Sequence, residues 1–317
     1  MITSQRLKQL QEQYKNSLPS IALLMILHDR LEYTIKSVLQ VLRIELPFDF
    51  IIIDNASTDN TKKFLANIQK DPRVKIEYLT KHQPLSVITN KFWRGHVNYD
   101  LIGKIDNDTL IGQSWFKRVA QVFQYNTSIA AVGGFAFDIY TDWNFEVSKK
   151  NVREIGPNCK ILVQPIIGGC AYLTRPQVIE EVGFLEEDIR IEKVKALDGS
   201  TKVAISSEKW TQELGVFKPD SPRAIIHGWT EWQKRAQEKG YVVCYPFPLE
   251  IVEHMDDPLN PHCLLDKDLS VTELAKKNAK QRGMEYSKKT INDWIRRDGK
   301  YLFTQYEYKG FIGKKVY

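Results

Sequence analysis

No apolar run in this 317-residue sequence is long enough to span a membrane. The longest, Ile21 to Leu27 and Phe50 to Ile53, fall far short of the ~20 residues that crossing a bilayer requires. They read instead as buried strands. The N-terminus, MITSQRLKQLQEQYKNSLPS, is polar throughout. It lacks the apolar centre and small-residue cleavage site of a secretory signal, so a cytoplasmic location is expected. Cysteine is scarce. Cys159, Cys170, Cys244 and Cys263 form no C-x-x-C pair, which points away from a zinc site or a disulfide framework and toward buried, reduced thiols. A dinucleotide-binding dehydrogenase needs G-x-G-x-x-G after its first strand, and here that turn reads L-H-D-R-L-E. Internal repeats and low-complexity tracts are absent too.

What is present suits a packed globular protein. Hydrophobic residues make up 43% of the chain and charged residues 26%, enough to bury a core and too apolar for disorder. The net charge of +6 is concentrated at one end, because residues 264–317 hold 13 Lys or Arg against 7 Asp or Glu. Such a tail can rest on anionic lipid, grip a polyanionic acceptor, or form a solvated helical face.

From residue 21 short apolar runs alternate with amphipathic stretches: IALLMIL, a helical pattern over Tyr33 to Leu42, FDFIII, TKKFLANIQK and VKIEYL. This is a β-α-β-α-β rhythm. The next run, DLIGKI, ends at Asp106-Asn107-Asp108, and behind it Trp115, Phe116, Val119, Val122 and Phe123 mark one face of a helix. IAAVGGFAF and VQPIIGGCAYLTR follow as expected strands, with a short helix over Pro176 to Val182. The stretch from Glu186 to Pro222 breaks the rhythm and reads as an irregular lid, mobile segment or inserted subdomain. Trp229 to Lys239 reads as a helix stopped by Gly240, and YVVCYPF as a returning strand. The expected organisation is an N-terminal helix over 1–19, one α/β domain over 20–262, and a helical basic appendage over 263–317.

Two acidic motifs fall where strands end, the edge at which open parallel sheets bind ligands. In Asp54-Asn55-Ala56-Ser57-Thr58-Asp59 the Ser, Thr and Asp residues are suited to capping the next helix. Capping leaves Asp54 unexplained, and its carboxylate is placed to accept hydrogen bonds from a base or ribose. In Asp106-Asn107-Asp108 the two carboxylates share one turn and suit a hard divalent cation that keeps positions open for a diphosphate. Taken singly, such a turn is more often structural.

Together, D-N-A-S-T-D-N-T and D-N-D-T resemble the paired motifs of the inverting family-two glycosyltransferases, D-D/N-G/A-S-T-D and D-x-D. Other residues agree in order: His28-Asp29-Arg30 at the first strand's end, Asn90 before the metal strand, Gly168-Gly169 before CAYLTR, and Arg235 through Gly240-Tyr241 as R-x-x-x-x-G-Y. The resemblance covers about residues 20 to 256. It implies a GT-A fold, a Rossmann-like mixed sheet flanked by helices, and transfer of a sugar from a nucleoside-diphosphate donor to an acceptor hydroxyl. Donor-nucleotide contacts are implied for Leu27, Asp29, Arg30, Asp54, Asn90 and Asp106. A divalent cation, Mn2+ or Mg2+, is implied at Asp106, Asp108 and His254, although His254 reads equally well as an ordinary histidine. Gly168, Gly169 and Trp229 are implied on the sugar and acceptor side. A UDP-sugar is the favoured donor, with GDP and dTDP open. A glycan or lipid-linked acceptor is expected, with the basic tail offering peripheral contact with the inner membrane face.

The sequence departs from the family pattern in two places. The usual E-D-x-D before R-x-x-x-x-G-Y aligns with Gly228, Trp229, Thr230 and Glu231, where only Glu231 is acidic and therefore stands as the base. The glycine usual before Asn90 is missing, and Pro84 lies in that region. A nucleotide-sugar-binding protein without catalysis would share that altered motif. A nucleic-acid-directed enzyme is the alternative from another class, since Trp294, Tyr301, Phe303, Tyr306 and Tyr308 interleave with the tail's basic residues.

Overall fold

The computed structural model describes residues 1–112, 114–136, 149–186, 190–195, 201–206 and 228–255. Helix α1 (Ser4–Tyr14) precedes β1 (Ile21–Leu27), α2 (Leu31–Leu42), β2 (Asp49–Asp54), α3 (Thr61–Ile68), β3 (Val74–Tyr78), α4 (Leu85–Gly95) and β4 (Leu101–Ile105). Next come β5 (Thr109–Leu110), α5 (Trp115–Tyr125), β6 (Ile129–Gly133), β7 (Phe135–Ala136), β8 (Val152–Gly156), β9 (Cys159–Val163) and β10 (Ala171–Thr174). The remaining elements are α6 (Pro176–Val182), β11 (Arg190–Lys195), β12 (Thr201–Ser206), α7 (Gly228–Glu238), β13 (Val242–Phe247) and β14 (Ile251–His254).

Among the described residues nine strands form one mixed sheet in the order β3-β2-β1-β4-β10-β6-β13-β9-β8. The first four are parallel, and β10 runs antiparallel between β4 and β6. Helices cover both faces, so β1 is buried at every position; such strands read as continuous apolar runs because neither side meets water. One face packs against α2, α3 and α5 through Val38, Leu65 and Phe116. The other packs against α4, α6 and α7 through Phe92, Ile179 and Trp232. No helix among the described residues is long and apolar enough to cross a membrane. Cys159 and Cys244 are buried thiols, and burial pushes both up in pKa.

Several expectations change. The span VQPIIGGCAYLTR is not one strand: Gln164 to Cys170 is a connecting loop, and β10 starts only at Ala171. Gly134 divides IAAVGGFAF into β6 and β7. The stretch read as irregular contains the β11–β12 hairpin, paired from Arg190–Ser206 to Lys195–Thr201. Its period-2 sequences RIEKVK and TKVAIS flank an Asp198-Gly199 dipeptide, which is a strand-turn-strand signal. Helix α4 and the β8–β9 hairpin were not anticipated. The expected appendage over 263–317 lies outside the described residues.

Candidate active site

Strands β1, β2 and β4 end side by side, with Leu27 opposite Asp54 and Leu24 opposite Lys104. The turns that leave them carry the two acidic motifs. Asp29 and Arg30 both adopt left-handed backbone, with φ of 52° and 60°, a conformation that disfavours residues with a Cβ. Hydrogen bonds to the turn after β2 hold them there. The Asp29 N–H donates to Ser57 Oγ at 3.0 Å, and Asp29 Oδ1 accepts the Thr58 and Asp59 N–H groups at 2.7 and 3.3 Å. The Thr58 N–H is the main reason that the Asp29 carboxyl lies below its ordinary pKa.

Asp54 is fully buried. Its Oδ1 accepts the Ser57 N–H at 3.0 Å, whereas Oδ2 meets no hydrogen-bond partner among the described residues. A buried acceptor left in this way is rare enough to require a cause, and a ligand is one. Around it the turns are tied together: His28 Nδ1 lies 2.9 Å from Asn55 O, and the Asn55 amide makes two bonds to the Gln83 backbone at 2.8 and 2.9 Å. The His28 and His82 rings meet edge to face at 4.4 Å.

The Asp106–Asp108 turn is held from below by buried hydroxyls of α2. Ser37 Oγ donates to Thr109 O at 2.6 Å, and Asn107 Nδ2 donates to Thr34 Oγ1 at 3.2 Å. From the loop just before β10 the Cys170 carbonyl accepts the Asp106 N–H at 2.8 Å. Asp106 is half-buried and paired with Lys104 Nζ. Asp108 Oδ2 sits 3.0 Å from Arg30 Nη1 and 3.5 Å from His254 Nε2, while Oδ1 is buried with no hydrogen-bond partner among the described residues. Burial pushes the Asp108 carboxyl up, but His254, Arg30 and Lys104 together outweigh it and hold the group down to about 2. It is therefore an anion at any physiological pH. The strands β5 and β14 pair His254 with Thr109, which is what brings a residue so distant in sequence to this turn.

On the other side of the site, Gly169 lies against Trp229 of α7 and Gly168 against Tyr245 of β13. The Ile167 N–H donates to Gln233 Oε1 at 2.8 Å, and the Gly168 N–H donates to Tyr245 OH at 2.9 Å. A Cβ on Gly169 would lie 3.1 Å from Trp229 Cδ1, so any side chain there would press on the indole ring. Trp229 is buried and stacks on Tyr172 with ring centroids 3.8 Å apart. Glu231 lies 2.7 Å from Arg235, whose guanidinium also donates to Val182 O at 3.2 Å and Phe184 O at 2.6 Å.

Arg30, Asp108 and His254 thus form one cluster, with Asp106 beside it and Asp29 and Asp54 in the adjoining turns. Leu27 is fully buried and contributes its carbonyl, which accepts the Asn55 N–H at 2.7 Å. Asn90 is also fully buried, and its amide brackets the Leu185 backbone at 2.7 and 2.9 Å. The ion pair described for Glu231 is with Arg235 on its own helix. Sequence reasoning missed Lys104, for which the signal was a single charge within the otherwise apolar stretch LIGKI.

Residues 24–183 match the model of glycosyl transferase family 2. The chain belongs to that family and is a glycosyltransferase of the GT-A fold. Among solved structures, the mannosyltransferase PcManGT from Pyrobaculum calidifontis, in complex with GDP-Man and Mn2+, is similar at a TM-score of 0.52 and 12% identity. The match covers 92% of this chain and 72% of that one. GalNAc-T7 with UDP, GalNAc and Mn2+ is similar at 0.51 and 11%, covering 92% and 58%. TarS 1-349 of S. aureus is similar at 0.50 and 10%, covering 90% and 80%. These likenesses are likenesses of fold. No curated protein matches.

Proposed function

We propose that this glycosyltransferase moves a sugar from a nucleoside-diphosphate donor onto an acceptor hydroxyl, with a divalent cation and with inversion at the sugar carbon. One observation carries the reading: two buried carboxylate oxygens, Asp54 Oδ2 and Asp108 Oδ1, stand without hydrogen-bond partners along one strand edge. Asp54 suits a base that offers a ring N–H, which uracil, thymine and guanine have and cytosine lacks. That favours UDP, with dTDP and GDP open. Asp108 suits a cation. Among the described residues no group of three or more His, Cys, Asp or Glu closes around a point, so Asp106, Asp108 and His254 would hold an ion together with donor oxygens and water. When bound, Mn2+ or Mg2+ supplies positive charge to the departing diphosphate. The complexes of the structural neighbours with Mn2+ and nucleotides or sugar nucleotides are consistent with this reading.

Arg30 keeps Asp108 ionised and oriented, and the turn after β2 fixes Asp29 where the nucleoside enters. Glu231, at the start of α7, takes the acceptor proton as the new bond forms. Its neighbour Arg235, anchored on the carbonyls that end α6, fixes the side of the carboxylate that faces the helix. The acceptor is a glycan or lipid-linked hydroxyl compound.

A thermal-shift screen against UDP-, GDP-, dTDP- and CMP-sugars, each with and without Mn2+ or Mg2+, tests the reading. A ligand that binds only the native state raises its melting temperature. The expected result is a rise with a UDP-sugar and metal, lost on chelation and lost in Asp108→Asn. No shift with any donor, or an equal shift after chelation, would remove the donor or the metal assignment respectively.

A further inference from the structure

We propose that Lys104 is a diphosphate-binding residue of the donor site, an inference that rests on the nucleoside-diphosphate reading above. Lys104 lies on the central strand β4, directly opposite Leu24 of β1 and Tyr172 of β10. Paired residues on adjacent strands share a face, so the lysine stem completes an apolar row whose other members are fully or almost fully buried. A hydrophobic residue would fill that place at no desolvation cost, whereas an ammonium there must be matched by a partner. The side chain is 14% exposed, and its one hydrogen bond among the described residues is to Asp106 Oδ1. An ammonium has three N–H donors, so two remain.

A counter-ion role for Asp106 does not explain the lysine, because the Asp106 side chain is 35% exposed and water can solvate it. The position does have an explanation in charge. Ile102 and Lys104 alternate onto one face of β4, which ends at Ile105, so the ammonium stands at the carboxyl edge where the strand enters the acidic turn. Arg30 flanks Asp108 on the other side of that turn. Two fixed cations therefore balance two fixed carboxylates before any ligand arrives. A diphosphate then brings negative charge that neither pair cancels, and beside the cation proposed above the spare Lys104 donors are the protein charge nearest to Asp106 that can meet it. Because the negative charge on the departing diphosphate grows as the sugar leaves, a cation held in advance favours the transition state more than the bound donor.

Binding of uridine, UMP and UDP at saturating Mn2+, measured by calorimetry for the wild type and for Lys104→Met, tests this. Methionine keeps the stem's volume in the apolar row. The expected result is unchanged uridine affinity, with UDP bound about 10- to 100-fold more weakly, as for loss of a charge-assisted bond. Lys104→Arg should recover part of the loss. Should the methionine variant not fold, Lys104→Gln is held to the same criterion. An unchanged UDP affinity, or an equal loss for uridine and UDP, would overturn the assignment and leave the donor reading intact. A wild-type protein that bound none of UDP, GDP and dTDP would overturn the donor reading and this inference with it.

Discussion

Glu231 is a residue at which two roles meet in one side chain. Its 2.7 Å pair with Arg235 has i,i+4 spacing and is only partly exposed, and Arg235 also holds the Val182 and Phe184 carbonyls. A substitution that keeps an oxygen for Arg235 and removes the basicity separates the two roles. As the base, Glu231→Gln should lower kcat about 100-fold or more while donor affinity stays within twofold. Glutamine retains a carbonyl oxygen for Arg235, so the melting temperature should barely move. If turnover were close to wild type, the proton would have to go elsewhere, and the acids between Glu186 and Asp220 would become the candidates. Asn90, implied as a donor contact by its place in the family order, also has a structural role: its buried amide holds the Leu185 backbone, two residues past the end of the matched region.

At the level of elements, the segments legible in the sequence are those whose periodicity is undisturbed. β1 to β4 read correctly because a strand buried on both faces must be apolar throughout. α5 read correctly because its apolar residues repeat at helical spacing. Helix α4 was lost because Pro84 and the polar residues around it masked an apolar face of Ile88, Phe92 and Trp93. β8 was lost because it is a short edge strand with two exposed positions. In the site, the acidic turns were legible and the tie of His254 to Asp108 was legible only by resemblance, since a contact between β5 and β14 leaves no local trace. A second tie of this kind holds the N-terminal region. Arg73 is fully buried and donates to Asp71 and to the carbonyls of Leu42, which ends α2, and of Ile44 just after it, while Asp71 also accepts the Ile2 N–H at 2.9 Å. Burial pushes the Asp71 carboxyl up, but these donors outweigh it and its pKa is lowered. A lowered folded pKa gives stability that is present above the unfolded carboxylate range and lost as pH falls through the folded value. Asp71→Asn should therefore cost about 3 kcal/mol in urea unfolding at neutral pH. The cost should shrink in acid. An equal cost at pH 7 and pH 3 would mean that shape, not charge, is what Asp71 supplies.

For the whole molecule, charge and topology each have a consequence. The surplus of basic residues in 264–317 supports an anionic or membrane-bound acceptor rather than a small neutral sugar. Reversing the charge at Lys276, Lys277 and Lys280 should weaken use of such an acceptor, and raising ionic strength should do the same in the wild type. Acceptor use indifferent to both would remove the electrostatic argument. The topology bears on how the protein is made. β10, at Ala171–Thr174, inserts between β4 and β6, both of which leave the ribosome long before it. Until then the facing edges of β4 and β6 are open, each able to pair with a neighbouring chain. The Cys170 carbonyl that accepts the Asp106 N–H also arrives only at this point. A chain stopped short of residue 171 would thus be both prone to aggregate and unable to set its acidic turn, and β13 and β14 must still follow to cover the far edge of β6 and to carry His254 to Asp108.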